Sequence, residues 1–571
     1  MTGPFNRRHA LLIAILCLAA IPYVTRLGAS SLWDSNEAFY TETPREMIES
    51  GDLVNPSFNY QPRFNKPPLS YWIVAAFYKA FGVSATAERL AIAMLALAMI
   101  AVAFTLGRLL YSTEAGLYAA IALAIAPRYL MFSRRIMIDV AMAMLMAATL
   151  AFFALAESRP AERKRYLILM YVAAGLGVMT KGPVAIALPA MAFVIYLTIH
   201  REMRRLREMM LPLGALIIAA IVSPWYLAIY EGHGWQYIST FILKDNLSRY
   251  TQPVWGPRRG FFFYVPVVIG DMFPWSLFFI GVLLMSARQW WKAAKRLSRN
   301  PASVEQGGSL NLRLQRLCLI WVAVIVVFFS LSQNKEDLYI LPIYSAVAAV
   351  VGAFLARAVS KDNADLDSQW TRWTAATLGL LLAATGAGVL YLFAHSSADY
   401  QFEGARLSGI IAIVGGLAVL IVALRRRQRL ALLGSALTLI AFNGVCVWRV
   451  LPDFERFKPV LPMCERIASE APADAMVGYY RYAAPSMTFY LRRQVFAYYE
   501  PEELLAAFAS GREVYCLLLA EDYESLKPQL PQASVLASRP VFQVKLKFIL
   551  DKREPPQVLL ITNKGGATFA Q

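Results

Sequence analysis

Charge is scarce in this chain. Of its 571 residues only 16% are Asp, Glu, Lys or Arg, while 58% are hydrophobic and mean hydropathy is +0.47. A soluble protein of this size does not carry that balance. The short alternating segments of a transmembrane barrel are missing, so the apolar content points to helices. Cysteine is sparse: five residues, with no CxxC and no Cys/His spacing of a metal site. Cys17, Cys318 and Cys446 fall in apolar stretches, Cys464 and Cys516 in the C-terminal tail. No glycine loop of a nucleotide site occurs, and no internal repeat is evident, which weakens a reading as an inverted-repeat transporter. Residues 8–27 resemble a signal h-region but run long and lack a clean small-residue cleavage site. They read as an uncleaved first span.

What is abundant is long apolar sequence. Stretches approaching or reaching the ~20 residues that cross a bilayer as a helix fall near 8–27, 87–107, 110–127, 139–157, 166–182, 183–199, 211–230, 263–286, 315–332, 338–356, 373–394, 408–424 and 430–450. The expected class is a polytopic α-helical membrane protein with about thirteen crossings. Aromatic-rich residues 67–82 read as a juxtamembrane helix in the interface. Residues 1–450, with a large loop at 28–86, form one expected domain. Residues 451–571 form a second, where short apolar runs such as AMVGYY and REVYCLLLA alternate with helical stretches, the pattern of a small α/β domain.

The formal net charge is +18. Most of the excess lies in short loops, so membrane orientation explains it better than nucleic acid. Arg7/Arg8, Arg159–Arg165, Arg201–Arg207, Lys292–Arg316 and Arg425–Arg429 all become cytoplasmic when thirteen crossings alternate from a cytoplasmic N-terminus. Loop 28–86 and the tail are then outside.

The outer loops nevertheless hold cations: Lys66, Arg134, Arg135, Lys244, Arg249, Arg258, Arg259 and Lys335, beside Asp34, Glu37, Asp139, Asp245 and Asp337. Positive charge on the disfavoured side fits an anionic substrate, whose phosphate oxygens Arg and Lys bind through charge-assisted hydrogen bonds. A solvated loop or contact with lipid headgroups is the alternative at any single position. Loop 28–86 also carries Glu42, Glu46, Glu49 and Asp52. Asp34 can serve as a general base, can hold a divalent cation with Glu37, or can cap a helix with Glu37 three residues on. Asp139 can pair with Arg134 or Arg135. Lys181 can snorkel. His233, alone in its loop, is weak as a ligand.

Read together, WDSNEAFY, REMIESGDLVNP, FNKPPLSYW, SRRIMIDVAM, MTKGPVAIALP, FILKDNLSRY, FPWSLFF and SLSQNKEDLYILP, in that order, resemble the polyprenyl-phosphate-sugar-dependent glycosyltransferases of the GT-C superfamily. The resemblance covers roughly residues 1–360 and is strongest to the aminoarabinose lipid A transferases and their protein O-mannosyltransferase-like relatives. It implies a multi-pass bacterial inner-membrane enzyme whose tail is periplasmic. The enzyme would move a sugar with inversion from an undecaprenyl-phosphate-type carrier to a lipid A, glycolipid or cell-surface glycan acceptor. By the same resemblance Asp34 is the candidate general base or acceptor-orienting carboxylate, Asp139 a second acidic position facing the cavity, and Lys66, Arg249, Lys335 and Tyr339 surround the donor phosphate. The alternatives are a protein O-mannosyltransferase-like enzyme and, from another class, a transporter or flippase of lipid-linked sugars. Two positions depart from the family. A Glu that usually precedes the loop lysine is Asn65, and a His shortly before Arg249 is replaced within Lys244–Asp245–Asn246. Those positions are associated with a metal in the relatives. The expectation here is that no metal is required, with Mg²⁺ or Ca²⁺ on Asp34, Glu37 and Asp139 ranked second and zinc last.

Overall fold

The structure is a computed structural model and describes residues 7–34, 36–135, 138–252, 259–299, 309–360, 366–395, 402–542 and 554–564. Arg258 lies outside the described residues. Among these residues, nine helices are long and apolar enough to cross a membrane, and up to eleven spans result if each of two bent pairs is one. The apolar stretches expected at 166–182 and 183–199 are the helices Arg163–Lys181 and Val184–Ile199. The first carries Arg163, Lys164 and Arg165, and the second has 16 residues. The chain is therefore a polytopic helical membrane protein, and thirteen is not fixed as its number of crossings.

Local sequence accounts for the breaks. Ser84 and Ser112 accept the Ala87 and Ala115 N–H groups at 3.2 Å and start the helices Ala85–Leu110 and Thr113–Ile125. Small residues let helices touch: a methyl on Gly352 would run into the Ala115 carbonyl. The stretch expected as one span at 110–127 bends by 68° at Ala126, because Pro127 cannot continue the hydrogen-bond ladder. The break frees backbone carbonyls in an apolar interior. The Tyr23 hydroxyl donates to the Ala124 carbonyl at 2.9 Å and the Asn443 amide to that of Ile125 at 3.1 Å.

Residues 460–564 build a five-stranded sheet in the order Phe496–Tyr498, Met476–Tyr480, Val514–Leu519, Gln557–Thr562, Ser534–Pro540. Only Gln557–Thr562 runs antiparallel to its neighbours. Apolar side chains cover both faces. Cys464 belongs to one core and Cys516 to the other, and both are free thiols.

The 28–66 segment clamps this domain to the bundle. The Leu32 N–H donates to the Tyr490 hydroxyl at 2.6 Å, and Asn59 exchanges two 2.8 Å hydrogen bonds with the Val495 backbone. The end of the bundle that bears the domain is called the domain end below.

Candidate active site

The helix Arg163–Lys181 stops at Gly182, whose φ of +93° suits glycine and whose missing Cβ leaves room for the Phe241 ring. Pro183 then opens the next helix. This turn points Lys181 into a cavity of about 470 Å³ at the domain end. Lys66 reaches the same cavity from loop 51–68. That loop is pinned from one side: Trp225 Nε1 donates to the Val54 carbonyl at 2.9 Å, His233 shares a 2.8 Å hydrogen bond with Asn55, and the Tyr237 hydroxyl donates to the Lys66 carbonyl at 2.6 Å. His233 thus orders the loop.

The third cation comes from FILKDNLSRY, expected as a loop. It is helical. Thr240–Ser248 is a π-helical turn followed directly by Arg249–Thr251, and π turns widen the helix where side chains must converge. Asp245, Asn246 and Arg249 line the cavity, whereas Lys244 is exposed. Tyr339 enters from Asp337–Ile343, held in place because Asn334 Nδ2 donates to the Arg249 carbonyl at 2.6 Å and Gln333 N–H to that of Tyr250 at 2.9 Å. Arg259 donates to the Lys335 carbonyl and lies 3.6 Å from Glu336, and Asp337 pairs with Arg128.

Lys66 Nζ lies 3.0 Å from Asp245 Oδ2. Lys181 pairs with Asp139 and sits 4.8 Å from the Tyr339 ring centre. Against the cost of burial, Tyr339 and Asp245 keep the Arg249 guanidinium charged. Burial pulls the Lys66 ammonium down to about 8; Asp245 opposes this, and Lys181 and Arg249 add to it. Three cations therefore feel one another around two carboxylates, with apolar walls from Val184, Ala187, Phe328 and Phe329.

Of the residues singled out in the sequence, Lys66, Arg249 and Tyr339 come together here, and Asp139 joins through Lys181. Asp139 does not pair with Arg134 or Arg135, and Lys181 does not snorkel. The sequence reading had Asp245 only as an acidic neighbour of the outer cations and Lys181 only as a snorkelling residue. Only the π turn and the Lys181–Gly182–Pro183 corner bring them to the cavity. Lys335 is not on the wall. Its ammonium turns back to the Ser332 carbonyl, and Ser332 lines the cavity in its place.

Asp34 and Glu37 lie off the cavity wall, and each takes a different partner. Asp34 sits at the seam with the small domain, where its carboxylate accepts the Ser486 N–H at 2.7 Å and the Ser486 hydroxyl at 2.8 Å. This partner replaces the expected helix cap. Burial pushes the Asp34 carboxyl up to about 6, against those two hydrogen bonds. Glu37 instead forms a buried bidentate pair with Arg89, at 3.0 and 2.9 Å. The hard-cation set expected from Asp34, Glu37 and Asp139 is consequently not assembled: each carboxylate answers to a different partner. Among the described residues no three His, Cys, Asp or Glu side chains cluster. At the positions that the resemblance links to a metal, Asn65 offers an amide, and in the stretch Lys244–Asp245–Asn246 the carboxylate is held by Lys66, so the side chains present do not make a transition-metal set.

Comparison with known proteins agrees with this geometry. The family described as dolichyl-phosphate-mannose-protein mannosyltransferase matches residues 65–227. The undecaprenyl phosphate-alpha-4-amino-4-deoxy-L-arabinose arabinosyl transferase of Pectobacterium atrosepticum is 28% identical over 426 residues, 72% of this chain and 71% of that one. The crystal structure of ArnT from Cupriavidus metallidurans bound to undecaprenyl phosphate superposes with a TM-score of 0.76 over 98% of this chain and 99% of that one, at 21% identity. The archaeal oligosaccharyltransferase AglB from Archaeoglobus fulgidus shares the fold more distantly, with a TM-score of 0.51 over 91% of this chain and 70% of that one, at 12% identity. With the ordered motifs, a fold shared over nearly the whole length and a family match that starts beside Lys66, the chain is a membrane glycosyltransferase similar to those of the GT-C superfamily.

Proposed function

We propose that this enzyme moves a sugar from an undecaprenyl-phosphate-type carrier to a glycolipid, lipid A or cell-surface glycan, with inversion, at the extracytoplasmic face of a bacterial inner membrane. The carrying observation is the cavity that joins Lys66, Lys181, Arg249 and Tyr339 to the apolar wall of Phe328 and Phe329. A phosphate on a long hydrocarbon chain matches both halves of that lining. The names of the sequence relatives point the same way. Thirteen crossings, with a cytoplasmic N-terminus and the small domain outside, are part of the proposal, because that arrangement puts the basic loops in the cytoplasm.

In the proposed reaction the donor phosphate displaces Asp245 from Lys66. The acceptor oxygen or nitrogen attacks the anomeric carbon, the bond from that carbon to the phosphate oxygen breaks, and its electron pair stays on the lipid phosphate. Lys66, Lys181, Arg249 and the Tyr339 hydroxyl stabilise the growing charge in a low-dielectric site. The acceptor proton passes to a carboxylate. By its motif match Asp34 is the proposed base: it leaves Ser486 to reach the acceptor, and a carboxyl near 6 is ionised at neutral pH yet basic enough to take a proton. Asp139 holds Lys181 in place, and Glu37 holds the strip that carries Asp34. Lys335 shapes the turn ahead of Tyr339. No step is routed through a metal, given Asn65 and the stretch Lys244–Asp245–Asn246.

The test uses purified full-length protein in nanodiscs. Native mass spectrometry should show one undecaprenyl phosphate bound, and lipid extracts of strains with and without the gene should differ by one sugar on a surface lipid or glycan. Absence of both results would return the chain to the transporter class.

A further inference from the structure

A second cavity, of about 300 Å³, lies at the domain end. None of its lining residues lines the first. It forms where three spanning elements finish: the helix Arg7–Val24, the bent segment Pro127–Ser133, and the last span through Val450. Its polar side carries Arg89, already committed to Glu37, and three further arginines, Arg26, Arg134 and Arg135. Its other side is apolar, with Leu130, Phe442 and Val447.

The three guanidinium groups are unusual in their partners. Arg26 donates to the Trp448 carbonyl at 2.8 Å. Arg134 donates to the carbonyls of Pro22, Thr25 and Arg26, and its Nε is buried without a partner although the residue is only 9% exposed. Arg135 lies flat against Trp33, 4.1 Å from the ring centre. Among the described residues none of the three has a carboxylate within ion-pair distance. The acidic group that acts on Arg135 is Glu37, and both of its oxygens are held by Arg89. Arg134 is buried and Arg135 half-buried, neither with a counter-charge, while Arg26 is exposed at the cavity mouth. Withdrawing the first two from water is costly, and an anion would offset that cost.

We propose that this cavity is a second phosphate site, distinct from the donor cavity, that takes the phosphomonoester of an acyl lipid. Arg26, Arg134 and Arg135 face the phosphate oxygens, and Leu130, Phe442 and Val447 face the first methylenes of the chain. A lipid is favoured over free phosphate because the cationic side lies where spanning helices end, at headgroup depth, with the apolar side continuing along them. Trp33, which Arg135 covers, directly precedes Asp34, so an occupied site steadies the strip that carries Asp34.

The experiment uses the full chain in dodecyl maltoside and phosphatidic acid bearing a diazirine in one acyl chain. Photolysis and peptide mass spectrometry should place the label within 127–135 or 442–452. Arg26→Gln and Arg135→Gln should each lower that label about tenfold, the loss expected for one charge-assisted contact. Arg135→Lys, which keeps a charge, should retain most of it. Lys66→Ala should leave it unchanged, which separates this site from the donor reading. Equal labelling by a diacylglycerol carrying the same diazirine would overturn the proposal, as would full labelling of both Gln variants. Protection by inorganic phosphate at concentrations that the diacylglycerol control ignores assigns the site to free phosphate and overturns the lipid part. Label lost from Arg135→Lys in step with its melting temperature makes Arg135 structural, which also overturns it.

Discussion

Two charge clusters at the domain end are built on opposite plans. In one, Arg89 spends all five of its guanidinium N–H donors: two on Glu37 and three on the carbonyls of Leu27, Ser30 and Ser31, at 2.6–3.0 Å. The side chains of Arg89 and Glu37 are 3% and 1% exposed. In the other, Lys66 has three ammonium protons and one carboxylate partner, Asp245, with exposures of 10% and 17%. A cation whose donors are all filled from within the chain has nothing left for a ligand. A cation with open donors on a cavity wall can exchange its partner for one. Completeness of the hydrogen-bond set, more than the presence of charge, separates the structural cluster from the working one.

Arg89→Ala breaks the first cluster and has the largest expected effect. It strands the Glu37 carboxylate in the interior, at a cost of about 3–5 kcal/mol. Little monodisperse protein should survive size-exclusion chromatography in detergent, and the melting temperature of what does should fall steeply. Lys66→Ala should melt near wild type. If the two variants melt alike, the contrast drawn between the clusters is wrong.

Asp34→Asn comes next. Asparagine keeps an oxygen to accept from Ser486, so the seam should hold. Loss of a general base should lower transfer by roughly 10²–10⁴-fold. Transfer near the wild-type rate in a well-folded variant would leave Asp34 as an anchor for the small domain and nothing more. Lys66→Ala and Arg249→Ala should act on the donor instead. Removing one charge-assisted contact costs about 1.5–3 kcal/mol, or roughly 10–150-fold in the donor KM. A donor titration separates this from a change in kcat.

The sequence was legible where the signal is local. Apolar length located most of the spanning elements, though the stretch expected as one span at 263–286 is two helices bent by 120°. Lys66 and Arg249 stood out as cations in outer loops, and Tyr339 entered through the family resemblance. Pro127 was an available warning of the break at Ala126. What stayed hidden depends on contacts across the chain. Lys66 meets Asp245 from 179 residues away, and Asp34 meets Ser486 from 452 away. Glu37 looked like half of an acidic pair with Asp34 because the two are close in sequence; its partner Arg89 opens a different helix. The π turn at Thr240–Ser248 also left no trace in FILKDNLSRY, since nothing in its composition distinguishes an α from a π spacing.

The smallest effect tests the exchange idea itself. Wild-type kcat/KM for the donor should rise with pH through about 6, as Asp34 loses its proton, and fall through about 8, as Lys66 loses its charge. Asp245→Asn changes two things with opposite signs. It removes the group that competes with the donor phosphate for Lys66, which favours donor binding. It also removes the anion that holds the Lys66 proton, so the Lys66 pKa falls further below 8 and the alkaline limb moves to lower pH. Near pH 6.5 the variant should bind undecaprenyl phosphate a few-fold tighter than wild type, an effect of about 1 kcal/mol or less. Above pH 8 it should bind more weakly, and the two binding curves should cross between. Parallel curves, with the variant weaker at every pH, would mean that Asp245 touches the donor as a positioning residue and does not stand in for it.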